Sequence, residues 1–284
     1  MGFLIVLLAI LLLEAYSELS AVQRDSWLRK WHQGLAAIPF LAPSPVTGLA
    51  LFVAIPVIVL HLLLSSMAHQ HWGSMAFVVE LLVLLYALGR GNLDRQIALI
   101  TADLPPNELQ AAFADAVVVD TASREGNIQA EGDLCEQAFK ALPYRIFERT
   151  FVVIFWFYLF GAPAALAYRL LALHADRVSV EYKLKSADLA LRWLWLLEWL
   201  PVRLLALTLG LVGNFSYALS AAKAILFCRI TSTAEFLHIV LRGALGNKQP
   251  ELGLSRQGIN DTTAIFGRAM TCWMVVMAVL VIVG

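Results

Sequence analysis

Charged residues are missing from this chain in blocks. No Asp, Glu, Lys or Arg stands between Lys30 and Glu80, from Phe151 to Tyr168, from Leu204 to Ala222, or from Ala269 to Gly284. Each block reaches or approaches the roughly 20 apolar residues with which a helix crosses a bilayer. Of the 284 residues, 15% are charged and 60% hydrophobic, where a soluble domain usually carries about 25% charged residues. The mean hydropathy is +0.73. The pattern predicts an all-α fold, a polytopic membrane helical bundle with a polar helical cytosolic loop, in contact with the lipid bilayer. Net charge is zero, so there is no basic field to attract nucleic acid. Cys135, Cys228 and Cys272 are odd in number, far apart and without CxxC spacing, which points to apolar fillers rather than a disulfide or zinc framework.

Three regions follow. Residues 1–89 hold a short N-terminal helix and the first membrane hairpin. The opening apolar run, Gly2 to Leu13, lacks a preceding Lys or Arg and ends in Glu14-Ala15-Tyr16-Ser17-Glu18, so it reads as a retained helix rather than a cleaved leader. The hairpin pairs a span from Gly48 to Met67, kinked at Pro56, with a second from Met75 to Leu88. Arg24, Arg29 and Lys30 precede it and Arg90 and Arg95 follow it, which places both open ends in the cytosol. Residues 90–149 form the polar cytosolic helical loop.

Residues 150–284 form a C-terminal membrane region with broken, amphipathic and terminal helices. Gly161 and Pro163 break the apolar run from Phe151 to Ala167, a break that membranes accept where protein or water satisfies the freed backbone. The run is expected to cross fully. Val178 to Leu200, with Trp193, Trp195 and Trp199, reads as an interfacial helix. A new span then starts near Pro201, Arg229 to Arg242 is amphipathic, and the last apolar run covers Ala269 to Val283.

Ionisable groups near membrane depth are the first functional candidates: Glu80, Glu148, Arg169, Glu198, Arg203, Asp261 and Arg268. The ligand-binding set drawn from them is Arg169, Arg203, Glu148, Glu80 and Glu198, with both arginines expected to share one pocket for an anion held by the guanidinium fork. Snorkelling to the headgroups is the competing role for long side chains at span ends. His61, His69 and His71 cluster at the first turn without a third ligand, so no metal site is assigned. No P-loop, GxGxxG, HExxH or GxSxG motif occurs, and no catalytic residue is assigned.

Phe157 to Arg169, reading Phe-Tyr-Leu-Phe-Gly-Ala-Pro-Ala-Ala-Leu-Ala-Tyr-Arg, resembles a signature of the membrane-bound CobD/CbiB superfamily of cobalamin biosynthesis. Trp199-Leu200-Pro201-Val202-Arg203-Leu204-Leu205-Ala206-Leu207 is similar to a second signature, and Asp120-Thr121 to a third. The resemblance implies an amide-forming ligase with nucleotide and magnesium as cofactors. The departures point elsewhere. Family Glu-Asn and Asp-Gly become Tyr144-Arg145 and Glu148-Arg149; Asn-Thr-Leu-Asp becomes Ala172-Leu173-His174-Ala175, with Asp176 one place on. Paired acids ahead of the second signature become Leu194-Trp195. These are the groups that magnesium and phosphate chemistry needs.

A branch with such losses is AmpE, which the leader ending in Leu13-Glu14, the Trp199–Arg203 run and Val212-Gly213-Asn214-Phe215 resemble. That implies a multi-pass protein of the bacterial inner membrane, regulating or signalling in β-lactamase induction, an antibiotic response tied to peptidoglycan recycling. Its implied partners are peptidoglycan-recycling components, or a muropeptide-like or phosphate-bearing ligand. The leading expectation is therefore a regulator that binds an anion. The alternative is an ATP-dependent amide-forming ligase. A small-anion transporter is a third class, against which stands the lack of a visible inverted repeat.

Overall fold

The computed structural model describes residues 2–15, 26–36, 44–69, 73–88, 142–175, 187–223, 225, 232–246 and 256–283. Among them the regular structure is entirely helical, as the charge-free blocks require. Most of the loop 90–149, from residue 90 to 141, lies outside the described residues. Three helices are long and apolar enough to cross a membrane: Val46–His69, Asp188–Val212 and Gln257–Val283. The chain is an all-α membrane protein.

The helices are α1 (Gly2–Ala15), α2 (Ser26–Ala36), α3 (Pro45–His69), α4 (Gly73–Leu88), α5 (Val152–Phe160), α6 (Ala162–Leu173), α7 (Ala187–Val212), α8 (Phe215–Lys223), α9 (Thr233–Ala244) and α10 (Arg256–Val283). A π-helical turn, Phe147–Phe151, directly precedes α5. The chain divides into two compact units, one of residues 1–91 and 152–197, the other of 92–151 and 198–284.

In the first unit, α3 begins where Ser44 and Thr47 exchange side-chain hydrogen bonds across Pro45, a start that satisfies N–H groups with no helical acceptor. Its outward residues Ile58, Val59, Leu62 and Leu63 are exposed and apolar, a face suited to lipid. The predicted second span is α4, whose 16 residues extend about 24 Å at the helical rise of 1.5 Å. Helix α1 packs on α4 and α5 through Ile5, Val6 and Ala9. The amphipathic α2 sets Leu28 and Leu35 into a core with Phe52, Leu170 and Leu173. Trp31 Nε1 donates to the Phe52 carbonyl at 3.2 Å, and Trp27 Nε1 to the Tyr86 hydroxyl at 3.2 Å.

The expected break falls at Gly161, at φ 78° and ψ −169°, a region that only glycine enters without strain. Pro163 has no N–H for the Leu159 carbonyl, while the Ala164 N–H turns to Gly161 O at 3.2 Å. The apolar run is thereby split into helices of 9 and 12 residues that pack against each other. Ala162 on the inner side of the turn is fully buried, whereas Leu159 and Phe160 are 51% and 68% exposed. Protein therefore backs the break on one side only.

In the second unit, α8 and α9 meet at backbone contact, since a Cβ on Gly243 would lie 2.8 Å from Ala218 Cα. Ser232 caps α9, its hydroxyl accepting from the Glu235 N–H at 3.2 Å. Phe151 packs edge-on to Trp273, whose Nε1 donates to Thr208 Oγ1 at 3.0 Å. Pro201, read as the start of a span, instead sits inside the continuous helix α7. One missing N–H in a helix of 26 residues does not stop it. The interruption comes later, at Gly213-Asn214, where the Asn214 N–H bonds to Ala244 O at 2.8 Å.

Candidate functional site

Arg169 stands in the third turn of α6 and is only 8% exposed. Helical spacing puts Ala165, Leu166, Ala172 and Leu173 on its own face, so its near surroundings along the helix are apolar. Helix α6 packs on α3 and α4, and both are apolar. Among the described residues no hydrogen bond or ion pair reaches its guanidinium, and Nε is shut off from solvent. A guanidinium keeps its charge in proteins, so burial without a counter-charge costs free energy until an anion or water supplies one. Glu80, the other candidate in this unit, lies half-buried on α4 and makes no ion pair with Arg169 among the described residues.

Glu148 and Glu198 lie in the second unit, within a buried polar group wider than the sequence suggested. Tyr144, Arg145, Glu148, Arg149 and Thr150 follow one another through the turn before α5, and the last four are nearly inaccessible. Arg145 Nη1 donates to Glu148 Oε2 at 3.0 Å. Across 54 residues of sequence, the Tyr144 hydroxyl donates to Glu198 Oε1 at 3.0 Å. Burial, followed by the Glu198 and Glu148 carboxylates, pushes the Tyr144 phenol well above its ordinary range. The tyrosine therefore stays a donor. A π-helical turn often marks a functional position; here it carries both Glu148 and Arg149 inward.

Arg203 is held differently. Its Cζ lies 4.1 Å from the Trp199 ring centroid and 5.3 Å from that of Phe236, and Nη1 donates to Trp199 O at 2.8 Å. These contacts supply cation–π attraction and use part of the fork that an anion would need. Arg169 and Arg203 belong to different units.

Of the other candidates, Asp261 is half-buried and Arg268 exposed on α10. His61 and His69 are exposed on α3, and His71 lies outside the described residues. Among the described residues no three His, Cys, Asp or Glu side chains gather as a metal site. Sequence reasoning missed Tyr144, Arg145 and Arg149 as buried groups, because they sit beside a long polar segment. It also missed His174, which is 2% exposed and lies against Phe52 and His32.

The fold and the site together define a helical membrane protein in which, among the described residues, the buried guanidinium of Arg169 lacks a counter-charge. Comparison of the chain with known protein families, with curated proteins and with solved structures finds no match.

Proposed function

We propose that this chain is a regulatory or signalling protein of the bacterial inner membrane that binds an anionic ligand through Arg169. The observation that carries the reading is a guanidinium 8% exposed in an apolar helix, with no hydrogen bond or ion pair among the described residues. Its counterparts in the second unit are engaged within the protein: Glu148 with Arg145, Glu198 with Tyr144, and Arg203 with Trp199.

The resemblance of the segments around Arg169 and Arg203 to the CobD/CbiB superfamily and its AmpE branch supports a link to β-lactamase induction and peptidoglycan recycling. In this reading the segment 90–149 faces the cytosol, and the anion is a phosphate-bearing or muropeptide-like species. The lost acidic positions weigh against amide synthesis. Mass spectrometry of what copurifies with the full chain, compared between wild type and Arg169→Ala, tests the proposal. An anionic species present only with the wild type supports it. Nucleotide turnover by purified protein, abolished in Arg203→Ala, would replace the regulator with a ligase.

A further inference from the structure

Helix α2 is docked by one face only. Leu28 and Leu35 enter the core and Trp31 packs partly buried against it, while Lys30, Gln33 and Gly34 are exposed. Its indoles add two hydrogen bonds, to the Phe52 carbonyl and the Tyr86 hydroxyl. A helix of 11 residues is marginal in water without such support. Helix α6, by contrast, is packed on both α3 and α4. Where α2 meets the end of α6, His32 faces His174, and both imidazoles lie against the Phe52 ring of α3.

This contact suits neutral imidazoles and not charged ones. His174 is 2% exposed, so a proton placed on it is held away from water. A second proton on His32 would repel the first across apolar surroundings. Helices α2, α3 and α6 contain no Asp or Glu to offset either charge. Their charged residues are Arg29, Lys30 and Arg169, all basic, and α4 contributes only Glu80. The remaining titratable groups of these helices are the phenols of Tyr86 and Tyr168 and the imidazoles of His61 and His69, the last two exposed on the far half of α3. Among the described residues, the charge that acts on His174 is that of His32.

We infer that α2 is a proton-operated strap: charging the His32–His174 contact releases it from the core while α3, α4 and α6 stay packed together. Release costs few contacts and returns both imidazoles to water. Docking holds the His174 pKa at about 4 against 6.5, so the released state takes up the proton more readily. Linkage then raises the ratio of released to docked chains roughly twenty- to thirtyfold between about pH 7.5 and 5.

Electron–electron distance measurements on the full chain in nanodiscs test this, with Cys135, Cys228 and Cys272 replaced by alanine. One spin-label pair joins α2 to α3 at Gly34→Cys and Leu62→Cys; Gly34 has room for a side chain and Leu62 is exposed. A control pair joins α3 to α4 at Leu62→Cys and Val78→Cys, both exposed. On acidification the first pair should gain a displaced population by the factor above, and the control pair should keep its distance. His174→Leu should abolish the gain and His32→Gln should reduce it; should His174→Leu fail to fold, His32→Gln carries the test. An unchanged first pair at pH near 5, or a gain undiminished in the variants, would overturn the strap. Separation of the control pair at the same pH would overturn it too, since the whole unit would then be loosening.

Discussion

The imidazoles of His32 and His174 lie with ring centroids 6.4 Å apart, one on α2 and the other just past the end of α6. Phe52 closes the third side, its ring 4.9 Å from that of His174. The arrangement ties the amphipathic α2 to the membrane helices through two groups that resist being charged together.

Acid should therefore weaken the first unit. Burial first and the neighbouring His32 second lower the His174 pKa from 6.5 to about 4. Below an unfolded value near 6.5 the unfolded chain takes up a proton that the folded chain refuses, so stability present above that pH is lost as pH falls toward 4. The full loss is about 3 kcal/mol. Thermal melts in detergent between about pH 7.5 and 3.5, the range that brackets this titration, should show a steeper decline for wild type than for His174→Leu. Parallel curves would remove His174 from the account.

Gly161→Ala should destabilise by about 1–3 kcal/mol, because the side chain enters a backbone region closed to it. The space itself is no obstacle, since the nearest atom to an added Cβ is Pro163 Cδ at 3.7 Å. Pro163→Ala at the same break returns an N–H and should cost less. Unfolding midpoints of the two variants in one detergent give the comparison, and a Gly161→Ala protein as stable as wild type would contradict the strained turn.

Glu148→Gln should cost far more than Glu80→Gln. The first removes the carboxylate that faces the buried Arg145 guanidinium, a change worth about 3–5 kcal/mol. The second alters a half-buried side chain with no ion pair among the described residues. Tyr144→Phe, which strips Glu198 of one donor, should fall between them at about 1–3 kcal/mol. Folded yield after purification ranks the three, and equal yields for the two glutamate variants would mean that the pair contributes nothing.

With basic residues on both sides of the first hairpin, the loop after it should lie in the cytosol. A cysteine introduced at Asn107 should then resist an impermeant thiol reagent in intact spheroplasts and react after lysis. Labelling of intact spheroplasts would invert the topology.

How much was legible in advance varied with the physics involved. The apolar helices α3, α4 and α10 were visible because lipid tolerates neither charge nor open backbone, so the constraint acts on each residue separately, though only α3 and α10 of these are long enough to cross. The break at Gly161 was visible because glycine and proline act locally. Pro201 misled for the converse reason: a local signal for a helix end was overridden within a long apolar helix, and α7 runs straight through it. The Tyr144–Glu198 bond was out of reach, since its partners are 54 positions apart and nothing near either names the other. Burial of Arg145 was hidden likewise, because a charge that finds its counter-charge inside the fold looks in sequence like one facing water.

The close approach of α8 and α9 has a mechanical consequence. With Gly243 against Ala218 and the Tyr217 carbonyl, main chain touches main chain and no side chain fills the gap. Helices separated by side chains can slide as rotamers exchange, whereas two backbones in contact have no such lubricant. The Asn214 N–H on Ala244 O adds a clasp at one end. A displacement of one of these helices is therefore carried to the other, and a single added methyl at residue 243 would wedge the joint open.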